Sequence, residues 1–149
     1  MSTELSKVKI NVENALQYLR GMTEGSLASA MEGFSEDVSY RGIERRDGGI
    51  YRRLYHGKPA VERYIGAWLK SAPGGVKYEI RSVQQLGDGV FIHWVDSAKG
   101  GEGQYANEGM LVCEFDSEGK VNHARSYSGA APLKRWNFLG DKDGAAGAG

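Results

Sequence analysis

Residues 90–96 read Val-Phe-Ile-His-Trp-Val-Asp, a run rich in β-branched and aromatic types with no glycine or proline inside it. That composition suits a strand. Strand alternation puts Val90, Ile92, Trp94 and Asp96 on one face and Phe91, His93 and Val95 on the other. Both faces are apolar, so the strand is expected inside a sheet and covered on both sides. Val76–Leu86 precedes it across Gly87-Asp88-Gly89. Gln104–Phe115 and Val121–Ser128 follow it, joined by Glu118-Gly119-Lys120. Strand-like runs at short spacing, separated by turn residues, predict antiparallel hairpins.

Upstream the period changes. Val8, Val12, Ala15, Leu16 and Leu19 form an apolar stripe of helical spacing, with Gly21 as the expected stop. Leu27, Ala30, Met31 and Phe34 make a shorter second stripe that runs out near Ser35-Glu36-Asp37. Val38–Ile43 suits a short strand. The polar stretch Glu44–Arg53, with its arginines and glycines, is either an exposed loop or a long hairpin. A third helix is expected to start near Gly57-Lys58-Pro59, where proline fits a first turn. Val61, Tyr64, Ile65 and Trp68 mark its buried side, and Pro73-Gly74-Gly75 ends it. Helices first and antiparallel strands afterwards predict an α+β fold. Three N-terminal helices would pack on a curved, mostly antiparallel sheet, giving a cone-shaped α+β barrel. A cavity left inside such a cone is a natural small-molecule site.

Composition sets outer bounds. At 149 residues the chain suits one domain, read as residues 1–140, followed by a flexible Gly/Ala-rich tail at 141–149. Nineteen basic residues balance nineteen acidic ones, so there is no electrostatic footprint for nucleic acid or an anionic membrane. No apolar run reaches the ~20 residues of a membrane span. Residues 1–9 are polar and carry no signal-peptide core. The single cysteine, Cys113, excludes an internal disulfide and, with the polar N-terminus, points to the cytoplasm. No histidine pair has metal-ligand spacing, and neither a metal nor a cofactor is expected.

The order of these stretches resembles a known family. "FSEDVSYRG", "YHGKPAVERYIGAWL", "GVFIHWVDS", "NEGMLVCEFDSEGKV" and "HARSYSG" follow one another as in the nuclear-transport-factor-2-like superfamily, in its SnoaL-like branch. That branch includes polyketide cyclases, limonene-epoxide hydrolase and ketosteroid isomerase. The likeness spans roughly residues 5–130 and implies a cone-shaped fold that often dimerises through the outer face of its sheet. By resemblance to the epoxide-hydrolase pattern, Asp96 falls on an acidic position of the central strand and Trp94 replaces an arginine. Tyr40 matches a tyrosine, Gly42 stands where an asparagine would, and Ser126 takes the place of a second aspartate. In the isomerase pattern, Gly42 and Leu111 stand where two acids would. The cyclase pattern wants an acid where Ser126 lies.

Asp96 is therefore the candidate acid or base. Facing inward among apolar neighbours, its carboxyl would be desolvated and able to exchange a proton near neutral pH; facing water, it would only cap the loop 97–103. Asn107 has the parity to sit beside it and hold an oxygen, or it is an ordinary polar strand start. Tyr40 is either an oxyanion donor or a satisfied core phenol. Trp94, Ile92, Leu111 and Ser126 are the candidate substrate-contacting residues. His93 and His123 have the parity of the outer face, and His56 fits the helix start or the surface. Arg45-Arg46 and Arg52-Arg53 read as a solvated loop or as a lid that meets an acidic substrate. Trp136–Leu139 is an apolar patch expected to fold back over the domain or onto a neighbouring subunit.

Two functions are compatible with this reading. One is a small cofactor-free enzyme of secondary metabolism, acting on a hydrophobic small molecule by cyclisation, isomerisation, dehydration or epoxide opening. The other is a non-catalytic binding or dimerisation module with a vestigial pocket. Either would be a homodimer with no nucleic-acid or membrane partner.

Overall fold

The computed structural model describes residues 2–46, 49–71, 76–98 and 107–128. Three helices, α1 (Ser2–Glu24), α2 (Leu27–Met31) and α3 (Lys58–Ser71), accompany six strands. The strands are β1 (Phe34–Arg46), β2 (Gly49–His56), β3 (Val76–Leu86), β4 (Gly89–Ala98), β5 (Asn107–Phe115) and β6 (Val121–Ser128). They form one sheet in the order β2-β1-β6-β5-β4-β3. Every neighbouring pair is antiparallel except β1 with β6. The helices lie on one face of this curved, unclosed sheet, so the expected α+β architecture holds, with β2 and β3 left as edges rather than joined into a barrel.

Helix α1 runs through Gly21 and stops four residues later than expected. Gly25 has φ +72°, a left-handed conformation that glycine adopts without strain. The N–H of Ser26 reaches the carbonyl of Gly21 at 2.9 Å, and that of Gly25 reaches Met22 at 3.2 Å. These two bonds are a Schellman stop. Gly21 serves a different purpose: a Cβ there would lie 2.1 Å from the backbone nitrogen of Ala30, so its bareness lets α2 pack onto α1. Ser26 then caps α2, its hydroxyl accepting from the Ser29 N–H at 3.1 Å.

Phe34 opens β1 rather than closing α2, and β1 extends well past the expected Val38–Ile43. The polar stretch after it pairs as a long hairpin, with Ser39 opposite His56 through to Arg46 opposite Gly49. It is polar because β2 is an edge strand in contact with water. Helix α3 begins as expected after Gly57, and Val61 and Ile65 are fully buried. The residues expected to end α3, 73–75, lie outside the described residues, as do the 141–149 tail and the Trp136–Leu139 patch.

The core lies between helices and sheet. Ala15, Tyr18, Leu19 and Met22 of α1 meet Phe34, Val38 and Tyr40 of β1, Val90, Ile92 and Trp94 of β4, and Leu111 and Cys113 of β5. Burying a large apolar side chain contributes about 1.5–3 kcal/mol, and this cluster is the main support of the fold. Asn14 of α1 fastens one end, its Nδ2 donating to the carbonyl of Gly119 in the β5–β6 turn at 2.6 Å. Among the described residues no helix is long and apolar enough to cross a membrane.

Candidate functional site

Alternation along β4 places its residues as the sequence predicts: Val90, Ile92, Trp94 and Asp96 are buried, while Phe91, His93 and Val95 are only partly so. Asp96 is 3% exposed, which removes the alternative of a water-facing loop cap. The Trp94 indole N–H donates to Asp96 Oδ1 at 2.6 Å. Trp94 is thus more than an apolar wall, because it holds the carboxyl by a short hydrogen bond. Its ring has room because its partner on β5 is Gly109, where a Cβ would lie 2.7 Å from the indole.

Asp96 stands in a row across three strands, with Tyr78 of β3 on one side and Asn107 of β5 on the other. The Tyr78 ring meets Trp94 edge-on, with centroids 5.4 Å apart. Ile92 and Leu111 face each other one step deeper and are fully buried in the common core. Ser126 pairs with Leu111 on β6.

Four phenols, Tyr18, Tyr40, Tyr64 and Tyr78, belong to the same core or pack against it. The Tyr40 hydroxyl donates to that of Tyr18 at 3.1 Å, and both rings are buried. Burial pushes the Tyr18 phenol well above its ordinary value, and the charges of Tyr78, Tyr64 and Asp96 push the same way. Tyr40 is raised too, first by burial and then by Tyr18 and Tyr64, while a side-chain hydrogen bond from Ser126 pulls it down. Both phenols therefore stay protonated at neutral pH. Tyr64 of α3 stacks on Tyr55 with centroids 4.5 Å apart and lies 5.6 Å from Tyr40. Trp68, one helical turn on, donates to the Tyr64 hydroxyl at 3.2 Å. The Tyr64 ring rests over Gly42, where a Cβ would meet it at 2.6 Å.

Of the predicted residues, Asp96, Trp94, Tyr40, Ser126, Ile92 and Leu111 share the interior, and Asn107 is level with Asp96 in the ladder with its side chain outside the described residues. Tyr18 and Tyr78 were not singled out by sequence reasoning, and Tyr64 was assigned only to the core. The available signal was a phenol, rather than a plain hydrocarbon, recurring on the inward side of α1, α3 and β3.

The remaining polar residues lie elsewhere. His93 Nε2 contacts Glu108 Oε2 at 2.6 Å on the outer face, and His56 Nδ1 contacts Ser39 Oγ at 2.8 Å. His123, also outward, is held below its usual pKa by partial burial and then by Arg125, with Arg41 adding to the effect. Arg52 is no lid. It donates to the Ser126 carbonyl at 3.0 Å and its guanidinium lies 4.6 Å from the centre of the Tyr127 ring. The side chains of Arg45 and Arg46 lie outside the described residues. Cys113 is a buried free thiol, raised by desolvation, as a core residue would be. Among the described residues no three acidic, histidine or cysteine side chains are grouped to hold a metal ion.

The sequence profile of the SnoaL-like domain matches residues 15–124. No curated protein matches the chain. Several solved structures share its fold. An NTF2-like protein from Anabaena variabilis is 15% identical, with a TM-score of 0.70 over 83% of this chain and 90% of that one. TerC, co-crystallised with polyporic acid, is 15% identical, with a TM-score of 0.68 over 87% and 98%. A phenazine-biosynthesis-related protein from Pseudomonas aeruginosa is 18% identical, with a TM-score of 0.66 over 84% and 78%.

Proposed function

We propose, on the premise that this chain belongs to the SnoaL-like domain family, that it is a small enzyme acting on a hydrophobic small molecule by general acid–base chemistry at Asp96. The family includes isomerases and polyketide cyclases. Cyclisation, isomerisation, dehydration and epoxide opening are all reactions that one positioned carboxyl can serve. The observation that carries this reading is the burial of Asp96 beside a band of phenols. Aspartate is seldom fully buried, and a carboxyl taken out of water next to hydroxyl donors is where proton-transfer chemistry is found.

The roles follow from the geometry. Trp94 holds Oδ1 and so limits rotation of the carboxyl that takes or gives the proton. Tyr18, neutral at physiological pH, is the donor for an oxygen that gains charge as the reaction proceeds, and Tyr40 supports it by donating its own proton to the Tyr18 hydroxyl. Asn107 is level with Asp96 in the strand ladder, and its side chain lies outside the described residues. Ile92, Leu111 and the Trp94 ring shape the apolar part of the substrate, and Ser126 supports Tyr40. Proton transfer of this kind needs no cofactor. Enclosure in a dry interior adds to the rate by fixing a flexible substrate in a reactive conformer. The co-crystallisation of TerC with polyporic acid and the phenazine-biosynthesis relation of a second neighbour support a small-molecule occupant from secondary metabolism.

The same reading includes a cytoplasmic homodimer formed through the outer face of the sheet. Met110 and Tyr127, both exposed there, sit among the partly buried Phe91, Val95 and Val112. A second reading, a binding module without catalysis, draws on two features. By the resemblance to the epoxide-hydrolase and isomerase patterns Gly42 stands where an asparagine or an acid would, and the Tyr64 ring lies against it.

Screening hydrophobic small molecules by thermal shift, followed by turnover assays on those that stabilise the protein, separates the readings. The Asp96→Asn variant is expected to keep the fold and lose roughly 10²–10⁴-fold in kcat, the usual contribution of a general acid or base. Unchanged turnover would remove Asp96 from the mechanism. Compounds that bind but are never converted would favour the binding module.

A further inference from the structure

Asp96 is almost closed off from water, and its neighbour Tyr78 reaches from it toward the surface. Tyr78 pairs with Asp96 across the β3–β4 ladder. Its ring meets Trp94 edge-on, with centroids 5.4 Å apart, and Trp94 in turn holds Asp96 Oδ1. The same Tyr78 lines a groove of about 280 Å³ between the C-terminal half of α1 and the edge strand β3. One partly buried phenol thus belongs both to the surroundings of the carboxyl and to an opening on the surface.

The lining of the groove selects its occupant. Leu16, Leu19, Tyr78 and Ile80 make the apolar part. Leu19 belongs to the core beneath, whereas Ile80, which pairs with Trp94 and so has inward parity, is 39% exposed. Arg20, Thr23 and Glu24 make the polar part. Arg20 offsets the charge of Glu24, and its guanidinium is already held by Glu13 at 2.9 Å. The Thr23 hydroxyl donates to the carbonyl of Leu19 at 2.9 Å. An ionic ligand would give up hydration here and gain little in return. The volume lies near the lower end of the roughly 300–1,000 Å³ usual for small-molecule pockets, which suits a compact ring system.

We infer that the α1–β3 groove is the outer part of the Asp96 site, that it takes an uncharged, flat, apolar small molecule, and that Tyr78 is the specificity-determining residue where groove and carboxyl meet. The inference rests on the reading of Asp96 as part of a small-molecule site, but not on catalysis there. Its tests measure binding and access only, so an Asp96→Asn variant with full turnover would sink the catalytic reading and leave them standing.

Two fluorescent probes with one ring system test the groove on the full chain. N-phenyl-1-naphthylamine is uncharged, and 8-anilino-1-naphthalenesulfonate adds a sulfonate. The uncharged probe is expected to bind with a Kd about tenfold lower or better, because the sulfonate must be desolvated. Ile80→Trp, which fills the groove from an exposed position, is expected to weaken that binding by a similar factor. Equal affinity for the sulfonate would overturn the ligand class. Binding indifferent to Ile80→Trp, or no saturable binding of the uncharged probe, would overturn the site.

Dicyclohexylcarbodiimide, an apolar reagent for buried carboxyls, tests the link to Asp96. Labelling of Asp96, followed by peptide mass spectrometry, is expected to slow severalfold when the uncharged probe saturates the parent protein. It is expected to quicken severalfold in Tyr78→Ala, while the buried Cys113 stays closed to N-ethylmaleimide as evidence of an intact core. A rate that the bound probe leaves unchanged would show groove and carboxyl to be separate, and an Asp96 that never labels in either protein would do the same. That comparison uses the parent, so it decides the link whether or not Tyr78→Ala folds. Unchanged labelling in a folded Tyr78→Ala would remove Tyr78 from the junction.

Discussion

Trp94 and Asp96 are donor and acceptor on one face of β4, joined across 2.6 Å from the indole nitrogen to Oδ1. Residues two apart on a strand point the same way, so this contact is built into the strand itself and needs no loop to arrange it. What it does need is space for the indole, and Gly109 opposite Trp94 supplies that space. The sequence motif, the bare glycine and the placement of the acid form one unit.

The Trp94→Phe variant keeps a flat apolar ring and removes the N–H. Asp96 then loses a short hydrogen bond in a buried place, a loss of roughly 1–3 kcal/mol for a neutral acceptor and more for a charged one. The urea midpoint should fall by a corresponding amount with the slope unchanged. A variant as stable as the parent would show that the bond contributes nothing to folding.

Gly109→Ala and Gly42→Ala test the seating of the two rings. The added methyl would meet the Trp94 indole at 2.7 Å in the first case and the Tyr64 ring at 2.6 Å in the second. Each ring must shift, a strain of about 1–3 kcal/mol that outweighs the ~0.4–1 kcal/mol gained by stiffening the unfolded chain. Reduced stability and an altered near-ultraviolet circular dichroism spectrum are expected for both. Unchanged spectra would mean that the rings are not held by these contacts.

The inward parity of Val90, Ile92, Trp94 and Asp96 was legible because strand alternation is a local rule. The apolar side of α3 was legible for the same reason. Phe34 was misplaced because its spacing from Met31 and Ala30 is helical by coincidence; burial in β1 decides its state. The β1–β2 hairpin was ambiguous because an edge strand in water need not alternate in polarity. Gly21 read as a stop because a glycine needed for close helix packing and a glycine needed for a turn look alike in one sequence. The meeting of Tyr18, Tyr40, Tyr64 and Tyr78 depends on how α1 and α3 lie on the sheet. No spacing along the chain encodes that, so each phenol by itself passed for ordinary core.

Alkaline pH should unfold this protein earlier than its helix and strand content suggests. Tyr18 and Tyr40 hold their protons more tightly when folded, first of all because both are buried. Above the ordinary tyrosine pKa of ~10 the unfolded chain releases protons that the folded one keeps, so stability falls as pH rises. Below that value the contribution is fully present. Cys113 works in the same direction from slightly lower pH, again because it is buried. Urea midpoints measured from pH 8 to 11 should decline, and Tyr40→Phe should flatten the steepest part. A parent curve that stays level through pH 11 would contradict the burial of these groups.

The direction of hydrogen bonding orders the phenols for catalysis. Tyr40 donates to Tyr18 at 3.1 Å, which leaves the Tyr18 proton as the outgoing donor of the pair. If a substrate oxygen gains charge beside Asp96, it is Tyr18 that reaches it, and Tyr40 acts by polarising Tyr18. Tyr18→Phe should then lower kcat by roughly 10²–10³-fold, the usual loss when one oxyanion donor is removed. Tyr40→Phe deletes only the supporting bond and should cost a few-fold, with KM little changed in either variant. Both can be read in the turnover assay used for Asp96→Asn, with melting temperatures to check the fold. A larger loss in Tyr40→Phe than in Tyr18→Phe would reverse the order and make Tyr40 the group in contact with substrate.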